Sequence, residues 1–239
     1  ALRLSYATLG TFMKYPKESL PKKPTSNICD KKYGFFQQDK QFFQEVASEL
    51  GMISNKSNSD VGYFRHPLAF LVEAADDICY TIIDFEDGIK LGLINEDFAL
   101  EYLIKLVQKS IDSKKYNELK TIEDRISYLR ALAIGSLIND AVSIFMENET
   151  AILKGEFSIS LMDKSQYKAQ ISDIIEISVK NIYQSKEVIE KEIIGYKVIH
   201  TLLDVFIQAN INTSNNSGTN FDKLIMNILP EKYKSHKET

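Results

Sequence analysis

With 239 residues, 44% hydrophobic and 26% charged, the chain can bury a substantial core, as one large domain or two closely packed halves. A net charge of −4 excludes a general attraction to nucleic acid or to an anionic membrane, although an acidic protein can still hold a polyanion locally through a metal ion. Cys29 and Cys79 are too few and too far apart for a disulfide framework and read as reduced, structural thiols, which sets the expected location as cytoplasmic. No run of about 18 apolar residues suggests a membrane span. The start lacks the basic and apolar regions of a signal peptide. It opens on Ala1 and reads as structured through Met13, so the chain is expected to be a piece of something longer.

In chain order, Leu2, Leu4, Tyr6, Leu9, Phe12 and Met13 predict a helix stopped at Pro16. Residues 16–34 form a basic loop in which Pro16, Pro21 and Pro24 alternate with Lys17, Lys22, Lys23, Lys31 and Lys32. It reads first as a solvated excursion and second as a functional loop. Helical spacing returns over Gln38–Leu50, and a polar turn follows through Asn55–Asp60. Arg65-His66-Pro67 introduces a long helix ending near Gly88–Gly92, and Asn95 starts another that runs to about Ser110. Ile122–Glu147 is helical throughout, and Gly155–Ser158 connects it to a helical stretch over Lys164–Tyr183. The last long helix spans Lys186–Ala209. A Ser/Asn/Gly/Thr linker over Asn210–Asn220 precedes a short amphipathic helix, Phe221–Leu229, stopped by Pro230, and then a lysine-rich tail. There is no internal repeat and no sustained β alternation, so the expected class is all-α.

The helix after Pro67 carries the chemistry. At ~100° per residue, Asp76, Tyr80 and Asp84 fall at about 0°, 40° and 80° on the wheel, with Glu73 and Asp87 in the same arc. Ala74, Ala75, Ile78, Cys79, Ile82, Ile83 and Phe85 fill the opposite side, the side expected to face a core. Acidic residues opposite an apolar face usually mean a solvated surface. A tyrosine amid the carboxylates points the other way, toward a face able to hold a cation, a sugar ring and a hydroxyl.

Little else looks chemical. There is no P-loop, no GxGxxG and no CxxC pair. Of the histidines, His66 precedes Pro67 at a helix entry, His236 lies in the tail, and His200 belongs to a second stripe with Glu192, Tyr196 and Asp204. No two are spaced to share a metal from one helix. The second stripe is equally a polar seam between helices.

Three blocks carry a resemblance. Arg65-His66-Pro67-Leu68 with Leu71-Val72-Glu73-Ala74-Ala75-Asp76-Asp77-Ile78 and Tyr80 resembles the deoxyguanosine triphosphate triphosphohydrolases of the HD superfamily. Leu2-Arg3-Leu4-Ser5-Tyr6-Ala7-Thr8-Leu9-Gly10-Thr11-Phe12, with Lys14-Tyr15-Pro16, is similar to the segment that family carries after its HD half. Glu190-Lys191-Glu192-Ile193-Ile194-Gly195-Tyr196-Lys197-Val198-Ile199, with Leu202-Leu203-Asp204, is similar to its late helix.

The resemblance implies an HD-like multi-helix bundle truncated at its N-terminus, with residues 1–209 as its C-terminal part and 210–239 as linker, short helix and tail. It implies hydrolysis of dGTP, or another dNTP, to the deoxynucleoside and inorganic triphosphate at a divalent metal, Mg²⁺ or Mn²⁺. Of the family's metal ligands only the last Asp has a counterpart, Asp76. By the same mapping Tyr80 lies against the deoxyribose and Asp84 accepts from its 3′-hydroxyl. Lys14 and Tyr15 fall near the substrate, and Glu192 reads guanine. Such a cation polarises the α-phosphate and lowers the pKa of a bound water, and cationic side chains stabilise the leaving triphosphate. The earlier His and the His-Asp pair are absent, so the chain alone is expected to be inactive. A homo-oligomer is expected, and an allosteric nucleotide or single-stranded nucleic acid is a further candidate partner. The competing reading is a non-catalytic helical module for nucleotide binding or assembly. Another HD branch would differ by product, orthophosphate or pyrophosphate in place of triphosphate.

Overall fold

The computed structural model describes residues 3–19, 25–55 and 61–231. Expectations resting on Leu2, Pro21, Lys22, Lys23, Pro24, Asp60, His236 and the tail lie outside the described residues. The described part is all-α, with isolated bridges and no extended strand among those residues. The chain forms two compact units, Ala1–Asn181 and Ile182–Thr239.

In the first unit the helices are α1 (Tyr6–Phe12), α2 (Lys40–Glu49), α3 (Pro67–Lys90), α4 (Glu96–Val107), α5 (Ser113–Glu118), α6 (Ile122–Glu147), α7 (Glu149–Leu153) and α8 (Lys168–Ser178). α1 is shorter than its apolar spacing suggests because Ser5 caps it, its hydroxyl accepting from Thr8 N–H. α3 starts where Pro67 fixes the first turn and His66 caps the end. It stops where Gly92 takes φ +70°, a conformation that favours glycine. α8 passes into a wider π turn at Val179–Tyr183. α5 and α7 lie outside the expected helices.

The core of this unit is α3 packed along α6, with α4 against α6 and α8 against both α3 and α4. Ile78, Ile82 and Phe85 of α3 and Leu129 and Leu137 of α6 are almost wholly buried. Each such side chain contributes about 1.5–3 kcal/mol by leaving water. By length and composition α6 is long and apolar enough to cross a membrane, although Arg130 and Asp140 interrupt it, so it holds no unbroken run of 18 apolar residues. Its burial of Leu129, Ala133, Leu137 and Ala141 against neighbouring helices is that of a core helix.

The predicted inner face of α3 is corrected in part. Ala74, Ile78, Ile82 and Phe85 are buried, whereas Ala75, Cys79 and Ile83 are exposed. These three follow one another at i, i+4 and form a separate stripe, off the axis of contact with α6. Cys79 is therefore not a structural core thiol, while Cys29 is buried.

The loop at 16–34 is also corrected where it is described. Lys17 is buried on Asp30, Glu18 is buried on Lys40 and the Val61 N–H, and bridges join Lys17 to Gly62 and Glu18 to Phe35. Gly34 passes so close to the Tyr15 carbonyl and the Met13 sulfur that no side chain fits there. A satellite core of Phe35, Phe43, Val46 and Ala47 lies beneath this segment, with Tyr6, Leu9 and Met13 against it.

Arg65 fastens that assembly to α3. It is buried, donates to both carboxylate oxygens of Glu73 at 2.5 and 3.0 Å, and donates from Nε to the Lys14 carbonyl at 2.6 Å. Its guanidinium lies between the Tyr15 and Phe70 rings, 5.4 and 5.3 Å from their centres.

In the second unit α9 (Lys186–Ser214) packs against α10 (Asn220–Ile228). α9 continues through the first half of the predicted linker, so the turn is confined to residues 215–219. Thr219 and Asp222 form a reciprocal capping box at the start of α10, and Asn212 donates to Asp222 at 3.2 Å.

Arg65→Ala leaves the Glu73 carboxylate buried without its partner and is expected to destabilise the chain by about 3–5 kcal/mol. Chemical denaturation checks this, and the paired change Arg65→Met with Glu73→Leu is expected to recover most of the loss.

Candidate functional site

The acidic stripe of α3 divides into different environments. Glu73, expected on the chemical face, is buried in the Arg65 pair. Asp76 is exposed and accepts from Lys14 Nζ at 2.6 Å. Asp77 is half-buried, and burial, reinforced by the charge of Glu73, pushes its carboxyl up to about 6. Tyr80 is 56% exposed and Asp84 half-buried, one and two turns beyond Asp76. At 1.5 Å per residue those turns are about 6 and 12 Å along the axis. Glu86, which the wheel does not single out, is buried. Its carboxylate accepts from Arg130 at 2.7 and 2.9 Å and from Lys90 at 2.8 Å, tying α3 to α6. Burial pushes this carboxyl up, but the hydrogen bonds from Lys90 and Arg130 outweigh it and hold it below the usual range.

Lys14 comes to Asp76 because the chain after α1 is pinned. Its carbonyl is held by Arg65, and the next residue, Tyr15, stacks on that guanidinium while Gly34 packs on the Tyr15 carbonyl. Burial lowers the affinity of Lys14 for its proton. The hydrogen bond and charge of Asp76, with Asp77 and Glu73, more than reverse this and hold the ammonium above the ordinary lysine range.

Lys14, Tyr15 and Asp76, with Met13, Tyr33 and Val72, line a cleft of about 380 Å³, within the range of small-ligand sites. The structure thus brings Lys14, Tyr15 and Asp76 together. Tyr80 and Asp84 continue the same helix outside that cleft, and Glu192 is an exposed residue of α9 in the second unit.

The histidines have local roles. His66 caps α3, its Nδ1 accepting from Leu68 N–H at 3.3 Å with Thr11 Oγ1 at 3.4 Å, and burial lowers its pKa. His200 lies 3.4 Å from Asp204 on the exposed surface of α9. Among the described residues no group of three or more His, Cys, Asp or Glu side chains is gathered closely enough to hold a metal ion. The described residues therefore do not by themselves fit a divalent-metal centre.

Sequence reasoning missed two features. Arg65 organises the cleft, and its signal was an Arg-His-Pro entry with a glutamate eight residues later. A larger polar cleft of about 590 Å³ lies elsewhere in this unit, lined by Ser110, Asn139, Ser143, Glu147 and Tyr167. Its Asp140 is buried, accepting from Ser165 Oγ at 2.6 Å and Gln166 Nε2 at 2.8 Å.

No protein-family model matches the chain. A deoxyguanosinetriphosphate triphosphohydrolase-like protein of Synechocystis sp. is 35% identical over 87% of this chain and 47% of the relative. The like-named protein of Listeria monocytogenes is 33% identical over 97% of this chain and 51% of the relative. A deoxyguanosinetriphosphate triphosphohydrolase of Yersinia pestis is 29% identical over 86% of this chain and 43% of the relative. The chain spans about half the length of the curated relatives it matches. This identity across nearly all of its all-α length relates the chain to the deoxyguanosinetriphosphate triphosphohydrolases.

Proposed function

We propose that this chain is part of an enzyme that hydrolyses dGTP, or another dNTP, to the deoxynucleoside and inorganic triphosphate. The observation that carries the reading is the cleft in which Lys14 and Tyr15 meet Asp76, at the start of the face that bears Tyr80 and Asp84. The names of the relatives support the same chemistry.

In this reading Asp76 is one ligand of a divalent cation, Mg²⁺ or Mn²⁺, whose other ligands lie outside the described residues. Lys14, held in its charged form beside the cleft, suits the triphosphate of a nucleotide. The exposed Tyr80 ring packs on the deoxyribose and leaves no room for a ribose 2′-hydroxyl. Asp84 accepts from the sugar 3′-hydroxyl. Tyr15, stacked on Arg65, forms a rigid wall of the cleft. Glu192 is assigned to guanine, since a carboxylate accepts from N1–H and the 2-amino group together. A homo-oligomer is part of the proposal, as is binding of an allosteric nucleotide or single-stranded nucleic acid.

The non-catalytic alternative has one observation in its favour. The Lys14 ammonium already neutralises Asp76, and an ion pair of this kind serves equally in a nucleotide-binding or assembly module.

The deciding experiment measures triphosphate release from dGTP with Mn²⁺, comparing this chain with a protein of the relatives' full length. Activity in the longer protein alone is expected, and silence in both moves the binding-module reading ahead. In the active protein, Asp76→Ala is expected to lower turnover by about 10³-fold or more. An unchanged rate would remove Asp76 from the reaction. Tyr80→Ala is expected to reduce the preference for dGTP over GTP by about 10–100-fold, read as the ratio of kcat/KM values. Retained preference would take Tyr80 out of the sugar site.

A further inference from the structure

The polar cleft beside the C-terminal end of α6 holds a charge without a counterpart. Among the described residues of the first unit, Glu18, Asp30, Glu73 and Glu86 are buried carboxylates, and each is paired with a lysine or an arginine. Asp140, 9% exposed, is the exception. Its two bonds come from neutral donors, Ser165 Oγ at 2.6 Å and Gln166 Nε2 at 2.8 Å. Lys164 also lines the cleft, but its ammonium is turned to Asn148 Oδ1 at 2.8 Å and lies over the Phe157 ring. Buried charges are ordinarily paired, because an unpaired one bears the cost of leaving water with no opposite charge to offset it.

We propose that this cleft binds a linear aliphatic polyamine, one of whose ammonium groups pairs with Asp140. A second anchor lies on the same face of α6. Glu147 is two turns on, about 10 Å along the axis, and among the described residues no lysine or arginine is paired with it. It sits in the last turn of α6, where the negative end of the helix dipole adds to the pull on a cation. Between the two, Ser143 donates its hydroxyl proton to the Asn139 carbonyl, which leaves the oxygen lone pairs free to accept. The cleft therefore offers acceptors at both ends and midway, a pattern that a di- or triamine fills with its ammonium groups. Its volume of about 590 Å³ leaves room for a chain of that length. A metal ion fits less well, since among the described residues no third His, Cys, Asp or Glu joins the two carboxylates.

None of these residues lines the cleft at Asp76, and amine binding is read without turnover, so the proposal stands or falls apart from the triphosphohydrolase reading. Burial ranks the two anchors. An ammonium at Asp140 is shielded from water, whereas one at the exposed Glu147 is screened by it and adds less.

Isothermal titration calorimetry of the full chain with spermidine, putrescine and n-butylamine tests the proposal. Spermidine is expected to bind at one site with a Kd below about 1 mM, putrescine more weakly and n-butylamine most weakly. Asp140→Asn still offers Ser165 an acceptor and is expected to raise the spermidine Kd by about thirtyfold or more. Glu147→Gln, on an exposed position, is expected to raise it by about two- to fivefold. The same change is expected to narrow the gap between putrescine and n-butylamine, which has no second ammonium to lose. If Asp140→Asn fails to fold, Glu147→Gln and the amine series decide the matter by themselves. The absence of binding by all three amines overturns the proposal. So does binding that neither substitution weakens, which marks a general attraction to an acidic chain. Equal affinity for n-butylamine and spermidine also overturns it, since a site for a single ammonium makes no use of Glu147.

Discussion

The buried Arg65–Glu73 pair is the constraint on which the candidate site depends. A guanidinium taken out of water must satisfy its donors, and here they are shared between a carboxylate on α3 and the carbonyl of Lys14, two residues after the end of α1. That sharing converts a desolvation problem into geometry. The segment after α1 has no long helix of its own to orient it, yet its lysine arrives at one oxygen of Asp76. The Tyr15 and Phe70 rings packed on the guanidinium leave it little freedom to move, and Gly34 in turn packs on the Tyr15 carbonyl.

The charges along α3 show how burial, more than spacing, decides what a carboxylate does. Glu73, Asp76, Asp77 and Glu86 lie within four turns of one helix. Two are consumed in ion pairs that hold the unit together, one is presented to solvent against a lysine, and one is raised toward neutrality by partial burial. A wheel treats them alike because it carries direction but not depth.

The long elements were legible in the sequence because their physics is local. Pro67 after a capping His66, Asn95 capping α4 and Thr121 capping α6 mark starts that no tertiary contact needs to supply. Helical periodicity alone placed Asp76, Tyr80 and Asp84 on one face, and α3 is helical across all three. What stayed hidden depended on contacts between distant segments. Lys17 reads as a surface lysine until Asp30 is folded beneath it. Glu73 reads as a member of an acidic surface until Arg65 is seen to bury it. Ala75, Cys79 and Ile83 read as core because they are apolar, but α6 contacts a narrower strip of α3 than composition suggests. α5 and α7 are short helices with few apolar positions to announce them.

The exposure of Cys79 has a practical chemical side. Cys29 is buried, and burial pushes its thiol up despite the hydrogen bond it accepts from Asn55, which disfavours the reactive thiolate. Cys79 stands in solvent directly beside Tyr80 and three residues from Asp76. An alkylating fluorophore would therefore find one thiol before the other. Its emission would report on the neighbourhood of the α3 face without any engineered attachment point.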